Sequence, residues 1–304
     1  MPAVQFRQRA EQQKNWQDNN YYRPRQEVYY QDYADSIYGR NSGDIIMGRS
    51  SLWVEGLYNK STLKDDKLVP GYDSDGHGLA IGLDHTFDNA FKIGVGYAYN
   101  TDTVDGKGRQ TDIDTHTGFI YGEIKPNEWY LNAIASYGMS SYSETKTPYG
   151  LSISSDYDGN AMAAQVMTGY EFGNIAPEIG LRYLSVTLDD YTDGAGQLIK
   201  NKDSDVITAI LGVKSSRNLF GRSTLDWRLA ATYDVKQSEG SADVLLPNGV
   251  AYKLSGRSLD KWGIEGGVGI NLSLGKSDIS LSYEGQFRKD YQNHTGLLQF
   301  RYKF

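Results

Sequence analysis

GLLQFRYKF, residues Gly296 to Phe304, closes the sequence on an aromatic side chain. Going back from the end, Phe304, Tyr302, Phe300 and Leu298 alternate with Lys303, Arg301, Gln299 and Leu297. Successive side chains of a strand point to opposite faces, so this stretch reads as a strand with one apolar face and one largely charged face. Chain ends usually fray in water. A strand with no polar tail behind it reads as one held in place, the closing seam of a larger sheet.

The same alternation recurs through the chain. FKIGVGYAY sets Phe91, Ile93, Val95, Tyr97 and Tyr99 against Lys92, Gly94, Gly96 and Ala98. LDWRLAATYDV sets Leu225, Trp227, Leu229, Ala231, Tyr233 and Val235 against Asp226, Arg228, Ala230, Thr232 and Asp234. WGIEGGVGINLSL and DISLSYEGQF repeat it. The period is 2 rather than 3.6.

Tight turns (FDNAF, KPNEW, FGNIAP, NLFG, LGKSD) separate these runs, rich in Asn, Gly, Asp and Pro. Between them lie longer polar links: NKSTLKDDKLVPGYDSDG, TDTVDGKGRQT, ETKTPYGLSISSDYDG, DDYTDGAGQLIKNKDS, SEGSADVLLPNGVAYKLSGRS and KDYQNHT. Short and long connections in turn are the pattern of an outer-membrane barrel. The runs predict twelve strands, at about 50–60, 77–87, 91–102, 110–125, 128–144, 156–172, 175–190, 203–218, 222–237, 257–274, 277–290 and 293–304.

A soluble β-sandwich or lipocalin-type barrel shares the alternation. Against it stands strand length, since soluble strands average ~5–6 residues. The polar face also carries charges suited to a wet lumen: Glu55, Asp84, Lys92, Glu123, Glu171, Arg182, Lys214, Arg228, Glu265, Glu284 and Arg301. Rings near strand ends (Trp53, Phe87, Phe91, Trp129, Phe172, Trp262, Tyr283, Phe304) predict two aromatic girdles. The expected fold is therefore all-β: a 12-stranded antiparallel transmembrane barrel, residues 49–304, with an N-terminal α-helix in its lumen.

Composition narrows the function. The 304 residues include no cysteine, which removes disulfides, thiol nucleophiles and thiolate metal sites. A net charge of −7 argues against nucleic acid as a partner. No apolar run of ~18 residues exists, so no helix spans a membrane, but membrane strands of ~9–11 residues escape that test. The start, MPAVQFRQRAEQQKNW, lacks the apolar core of a signal peptide. It reads either as a cytosolic start or as the C-terminal part of something longer.

Residues 25–48 break the alternation. RQEVYYQDYADSIYGR predicts a helix from Arg25 to Arg40, with Pro24 at its start and Gly43 a plausible stop. It mixes Tyr29, Tyr30, Tyr33 and Tyr38 with Glu27, Asp32, Asp35 and Arg40, and no face is cleanly apolar. That suits a helix in a polar cavity. Twelve strands close on a backbone radius of ~12 Å, leaving an opening of ~10–12 Å inside the side chains, about one helix wide. A helix over residues 25–40 would span ~24 Å, close to the ~25 Å apolar band.

These residues resemble the translocator domain of autotransporters, the type V secretion proteins of Gram-negative bacteria. YYRP followed by EVYY, Tyr21 to Tyr30, is similar to the family's Tyr-Arg-Pro-Glu-Val signature, departing by the inserted Arg25 and Gln26. SLWVEGLY and GYDSDGHGLAIGLDHTF resemble its first hairpin, with Trp53, Gly78, Gly82 and Asp84 matching. Phe300, Tyr302 and Phe304 resemble the terminal signal read by the β-barrel assembly machinery. The resemblance covers residues 21–304.

It implies a monomeric outer-membrane secretion pore that anchors an N-terminal passenger and exports it to the cell surface. Its implied partners are lipid, the assembly machinery and periplasmic chaperones, with no cofactor or metal. Residues 1–24 would be a passenger remnant, and Glu27, Tyr29, Tyr30, Tyr33, Tyr38 and Arg40 the linker helix. Rival readings are a porin for small solutes and an outer-membrane protease. Asp112, Asp114 and His116 share a strand face near a loop but read as ordinary rim residues, and neither G-x-S-x-G nor H-E-x-x-H occurs. Asn19-Asn20 is a pair of the kind some members of the family cut, yet its place before Pro24 reads as plain linker.

Overall fold

The computed structural model describes residues 50–66, 70–87, 90–238, 240–255 and 259–304. The expected helix and the Asn19-Asn20 pair lie outside them. Among the described residues there are sixteen strands: β1 (Ser50–Leu63), β2 (Tyr72–Phe87), β3 (Phe91–Gly106), β4 (Arg109–Ile124), β5 (Trp129–Lys146), β6 (Ile153–Tyr170), β7 (Ala176–Leu188), β8 (Tyr191–Thr192), β9 (Leu198–Lys202), β10 (Ser204–Asn218), β11 (Ser223–Gln237), β12 (Ser241–Leu245), β13 (Ala251–Ser255), β14 (Trp262–Ser273), β15 (Ser277–Arg288) and β16 (Tyr291–Lys303).

Twelve of them close an antiparallel barrel in the order β1-β16-β15-β14-β11-β10-β7-β6-β5-β4-β3-β2. Each strand pairs with its neighbours in sequence, and the first and last strands meet. The seam runs from Ser51 opposite Lys303 to Leu63 opposite Tyr291, and the Phe304 amide donates to Ser50 O at 3.0 Å. Closure leaves no open edge, the condition for strands to cross lipid.

The alternation survives intact. On β3, Phe91, Ile93, Val95, Tyr97 and Tyr99 are exposed, while Gly94, Ala98 and Asn100 are buried. The exposed apolar residues run around the whole barrel as the surface that meets lipid. Phe87, Phe91, Trp129, Phe172 and Phe304 ring one end and Trp262 lies at the other, whereas Tyr283 lies midway along β15, outside the expected girdle. Trp53 departs from the expected girdle. It is 2 % exposed and points inward, where its indole donates to the Tyr121 hydroxyl at 2.7 Å and stacks on Phe119. The indole lies across Gly82, where any Cβ would overlap it.

Turns at the end that holds both barrel termini are short: 88–90, 125–128, 171–175, 219–222 and 274–276. That is the periplasmic end. The opposite end differs from the sequence reading. Two of the six expected long links are two-residue hairpins, Lys107-Gly108 and Lys289-Asp290, with positive φ at Gly108 and Asp290. Strands β1–β6 run 14–18 residues, so polar segments that looked like loops continue the barrel wall above the lipid.

Two other links are folded. Residues 189–203 contribute β8 and β9, and residues 238–261 contribute β12 and β13. Together they form a second sheet, ordered β13-β12-β9-β8. Tyr191, Ile199, Ala242, Val244 and Leu259 from these links pack against Leu63, Tyr72, Val104, Ile113, Tyr142, Tyr157 and Tyr291 at the inner tops of the barrel strands. Tyr142, Tyr157 and Tyr191 stack nearly parallel, with centroids 5.0 and 4.2 Å apart. The sheet is thus a lid seated in the outer mouth by its own apolar core.

Candidate functional site: the barrel interior

Inward-facing positions fall into layers, because each strand contributes every second residue at a fixed height. Near the periplasmic end the layer is charged. Asp84 on β2 accepts from Arg301 Nη1 on β16 at 2.5 Å, from Tyr121 on β4 at 2.6 Å, and from Ser51 on β1. Arg301 also donates to Ser51 Oγ at 2.7 Å. The final strand therefore grips β2 across β1, and the contact braces the seam. Lys303 pairs with buried Asp278 beside it.

Across the barrel, Arg182 on β7 makes a bidentate pair with Glu265 on β14, at 3.0 and 3.1 Å, and donates Nε to Gln165 at 2.7 Å. Arg228 on β11 pairs with Glu178, which also accepts from Tyr130 at 3.0 Å. Lys214 lies 3.8 Å over the Tyr130 ring. The Arg182–Glu265 and Lys214–Tyr130 contacts span two intervening strands, and Arg228–Glu178 and Tyr130–Glu178 span one. Bidentate Arg–carboxylate geometry fixes their orientation as well as their charge.

A cavity of about 270 Å³ lies within this layer, lined by Glu55, Asp84, Lys92, Glu123, Lys214, Arg228, Glu284 and Arg301 among others. A smaller one, about 30 Å³, is lined by Arg182, Arg228, Glu265 and Glu284. Glu171 lies in the periplasmic turn after β6, bonded to Lys125 at 2.6 Å. Phe300, Tyr302 and Phe304 are exposed on the outward face of β16. Asp112, Asp114 and His116 face outward on β4, away from the lumen, and bond Thr103, Tyr99 and Tyr97. They form no enclosed site. No group of three or more His, Asp or Glu suited to a metal occurs among the described residues.

Several interior residues were missed from sequence: Tyr121, Tyr130, Glu144, Glu178 and Arg288. Arg288 grips Asp234 at 2.5 and 3.0 Å, and Glu144 is held by Arg109 and by Lys146 at 2.6 Å. All sit in the inward register of their strands, so the alternation could have found them. The inner face was read as polar, which hid the aromatic ones.

The sequence profile of the family described as "Autotransporter beta-domain" matches residues 52–286. The chain belongs to the autotransporter β-domain family. Its place is the outer membrane, and its function is that of a translocator domain.

Outer membrane protein A of Rickettsia conorii is 22 % identical over 305 residues, covering 89 % of this chain and 15 % of the relative. The chain thus spans a small part of the curated relatives' length. Among solved structures, the translocator domain of autotransporter NalP from Neisseria meningitidis superposes with a TM-score of 0.76 at 15 % identity, covering 91 % of this chain and 98 % of that one. The transport unit of the autotransporter AIDA-I from Escherichia coli gives 0.67 at 14 % identity, covering 93 % and 100 %. At such identities the likeness is one of fold.

Proposed function

We propose that this β-domain anchors and exports an N-terminal passenger through its lumen to the cell surface, and that the β-barrel assembly machinery inserts it. Residues 25–48 are the linker that threads the pore, with Glu27, Tyr29, Tyr30, Tyr33, Tyr38 and Arg40 facing its wall. Phe300, Tyr302 and Phe304 are the segment the machinery reads, offered by strand addition before β16 pairs with β1. Periplasmic chaperones carry the chain before insertion. The observation that supports this most is the interior itself. It is polar and charged, with buried acid–base ties such as Arg182–Glu265, and it suits the passage of hydrated polypeptide.

The test is surface display. A passenger of known fold is placed upstream of residue 1, and intact cells are treated with an external protease. The reading predicts that most of the passenger is cleaved while the barrel stays heat-modifiable. A passenger retained inside cells whose barrel is correctly folded would overturn it.

The porin reading is separated by conductance. With residues 25–40 in the pore, single-channel conductance stays low, and deleting them raises it. A deletion with no effect, in a protein whose lid has also been opened, would show that the segment does not occupy the lumen.

A further inference from the structure

Above the aromatic layer at Trp53 and Phe119, the inner wall carries a polar belt on β1, β2 and β3. Asp102 is 9 % exposed there, with Asn59, Ser61, Ser74 and Asn100 all buried around it. Asp102 differs from the inward carboxylates that are held in ion pairs. Asp84, Glu144, Glu178, Asp234, Glu265 and Asp278 each have a lysine or arginine partner. No lysine or arginine among the described residues pairs with Asp102. Its neighbours are the Asn59 amide and, at longer range, the like-charged Asp114. A buried charge is costly unless something of opposite sign is brought to it.

The surrounding atoms are oxygens. Asn59 Oδ1, Asn100 Oδ1, Ser61 Oγ and Ser74 Oγ are buried and have no hydrogen-bond partner. Register brings them together: Asn59 and Asp102 both lie opposite Gly76, Asn100 lies opposite Gly78, and Ser61 lies opposite Ser74. The two glycines make the room. A Cβ on Gly76 would overlap Asp102 Oδ1 and Asn59 Oδ1, and one on Gly78 would overlap Asn100 Oδ1. One carboxylate among neutral carbonyl and hydroxyl oxygens, with no nitrogen or sulfur donor, is the set that hard cations take. Ca²⁺ accepts about 6–8 such oxygens in flexible geometry.

We propose that Asp102, Asn59 and Asn100, with the Ser61 and Ser74 hydroxyls, hold a calcium ion in the barrel wall. One carboxylate makes a weak site, with a dissociation constant of ~10⁻⁴–10⁻³ M as in extracellular calcium modules. The ion would tie β1, β2 and β3 together just below the lid. Calcium supplied from the medium would therefore favour the assembled barrel.

The experiment refolds the whole chain in detergent free of lipopolysaccharide, with and without CaCl₂, and measures bound calcium by equilibrium dialysis and melting by loss of heat-modifiable mobility. The wild type is expected to bind one saturable calcium and to melt higher with it. Asp102→Asn, which keeps shape and removes charge, loses that binding and its calcium-dependent shift. The outward-facing Asp112→Asn/Asp114→Asn variant keeps both. Should Asp102→Asn fail to fold, Asn59→Ala, which keeps the carboxylate, must weaken binding at least severalfold. Absence of saturable binding in the folded wild type overturns the proposal. So does equal binding by the folded Asp102→Asn protein, or by Asn59→Ala if that variant is the one that folds. Loss confined to the outer-wall variant overturns it as well.

Discussion

Arg301 shows how much one side chain can carry. It reaches across β1 from the last strand and bonds Asp84 and Ser51, so it joins three strands at the seam. Arg301→Ala leaves the Asp84 carboxylate buried without its cation, a loss of ~3–5 kcal/mol for a broken buried pair. Guanidinium or urea unfolding in detergent should show that loss, whereas Asp84→Leu/Arg301→Met should recover much of it. Equal stability of the single and double variants would remove the clasp from the account. Gly82 is a second such point. The Trp53 indole occupies the space of any side chain there, so Gly82→Val should destabilise the barrel and Trp53→Ala in the same chain should restore part of the loss. Trp53 was read from sequence as a girdle residue because tryptophan near a strand end usually is one. Its register, shared with Ser51 and Glu55, placed it inside, and register outranks residue type in a strand.

At the scale of elements, the barrel strands were legible and the lid was not. Each transmembrane strand alternates over ten or more residues, a signal too long for chance. β8, β9, β12 and β13 have two to five residues each, too few for a period. The hairpin signal was nonetheless present in ADVLLPNGVAYKL, apolar residues flanking Pro-Asn-Gly. The upper end of β3 was cut short for another reason. Thr101 and Thr103 stand on its outward face above the lipid, where no apolar residue is needed, so a strand there looks like a loop. The lid makes a prediction of its own. Val244 is 1 % exposed in the core that seats it. Val244→Asp would bury an unpaired charge there. In planar bilayers it should raise conductance severalfold in a chain that lacks residues 25–40, while the barrel itself stays folded. Unchanged conductance would mean that the lid does not seal the mouth.

For the whole molecule, the decisive property is which face of each strand meets lipid. From it follow the polar interior, the need for a closed seam and the fitness of the domain for carrying polypeptide across the outer membrane. The fold class and the strand number could be read from the sequence. The aromatic layer inside, the lid and the ion-pair partners depend on which strands lie near each other across the lumen, and no local pattern reports that. The most direct test places spin labels at Leu229 and Arg228, neighbours on β11, in the barrel reconstituted into bilayers. Leu229 is 52 % exposed, and Arg228 is tied to Glu178 inside. The label at 229 should be relaxed by oxygen dissolved in hydrocarbon and the label at 228 by a polar nickel reagent. The reverse result would contradict the account.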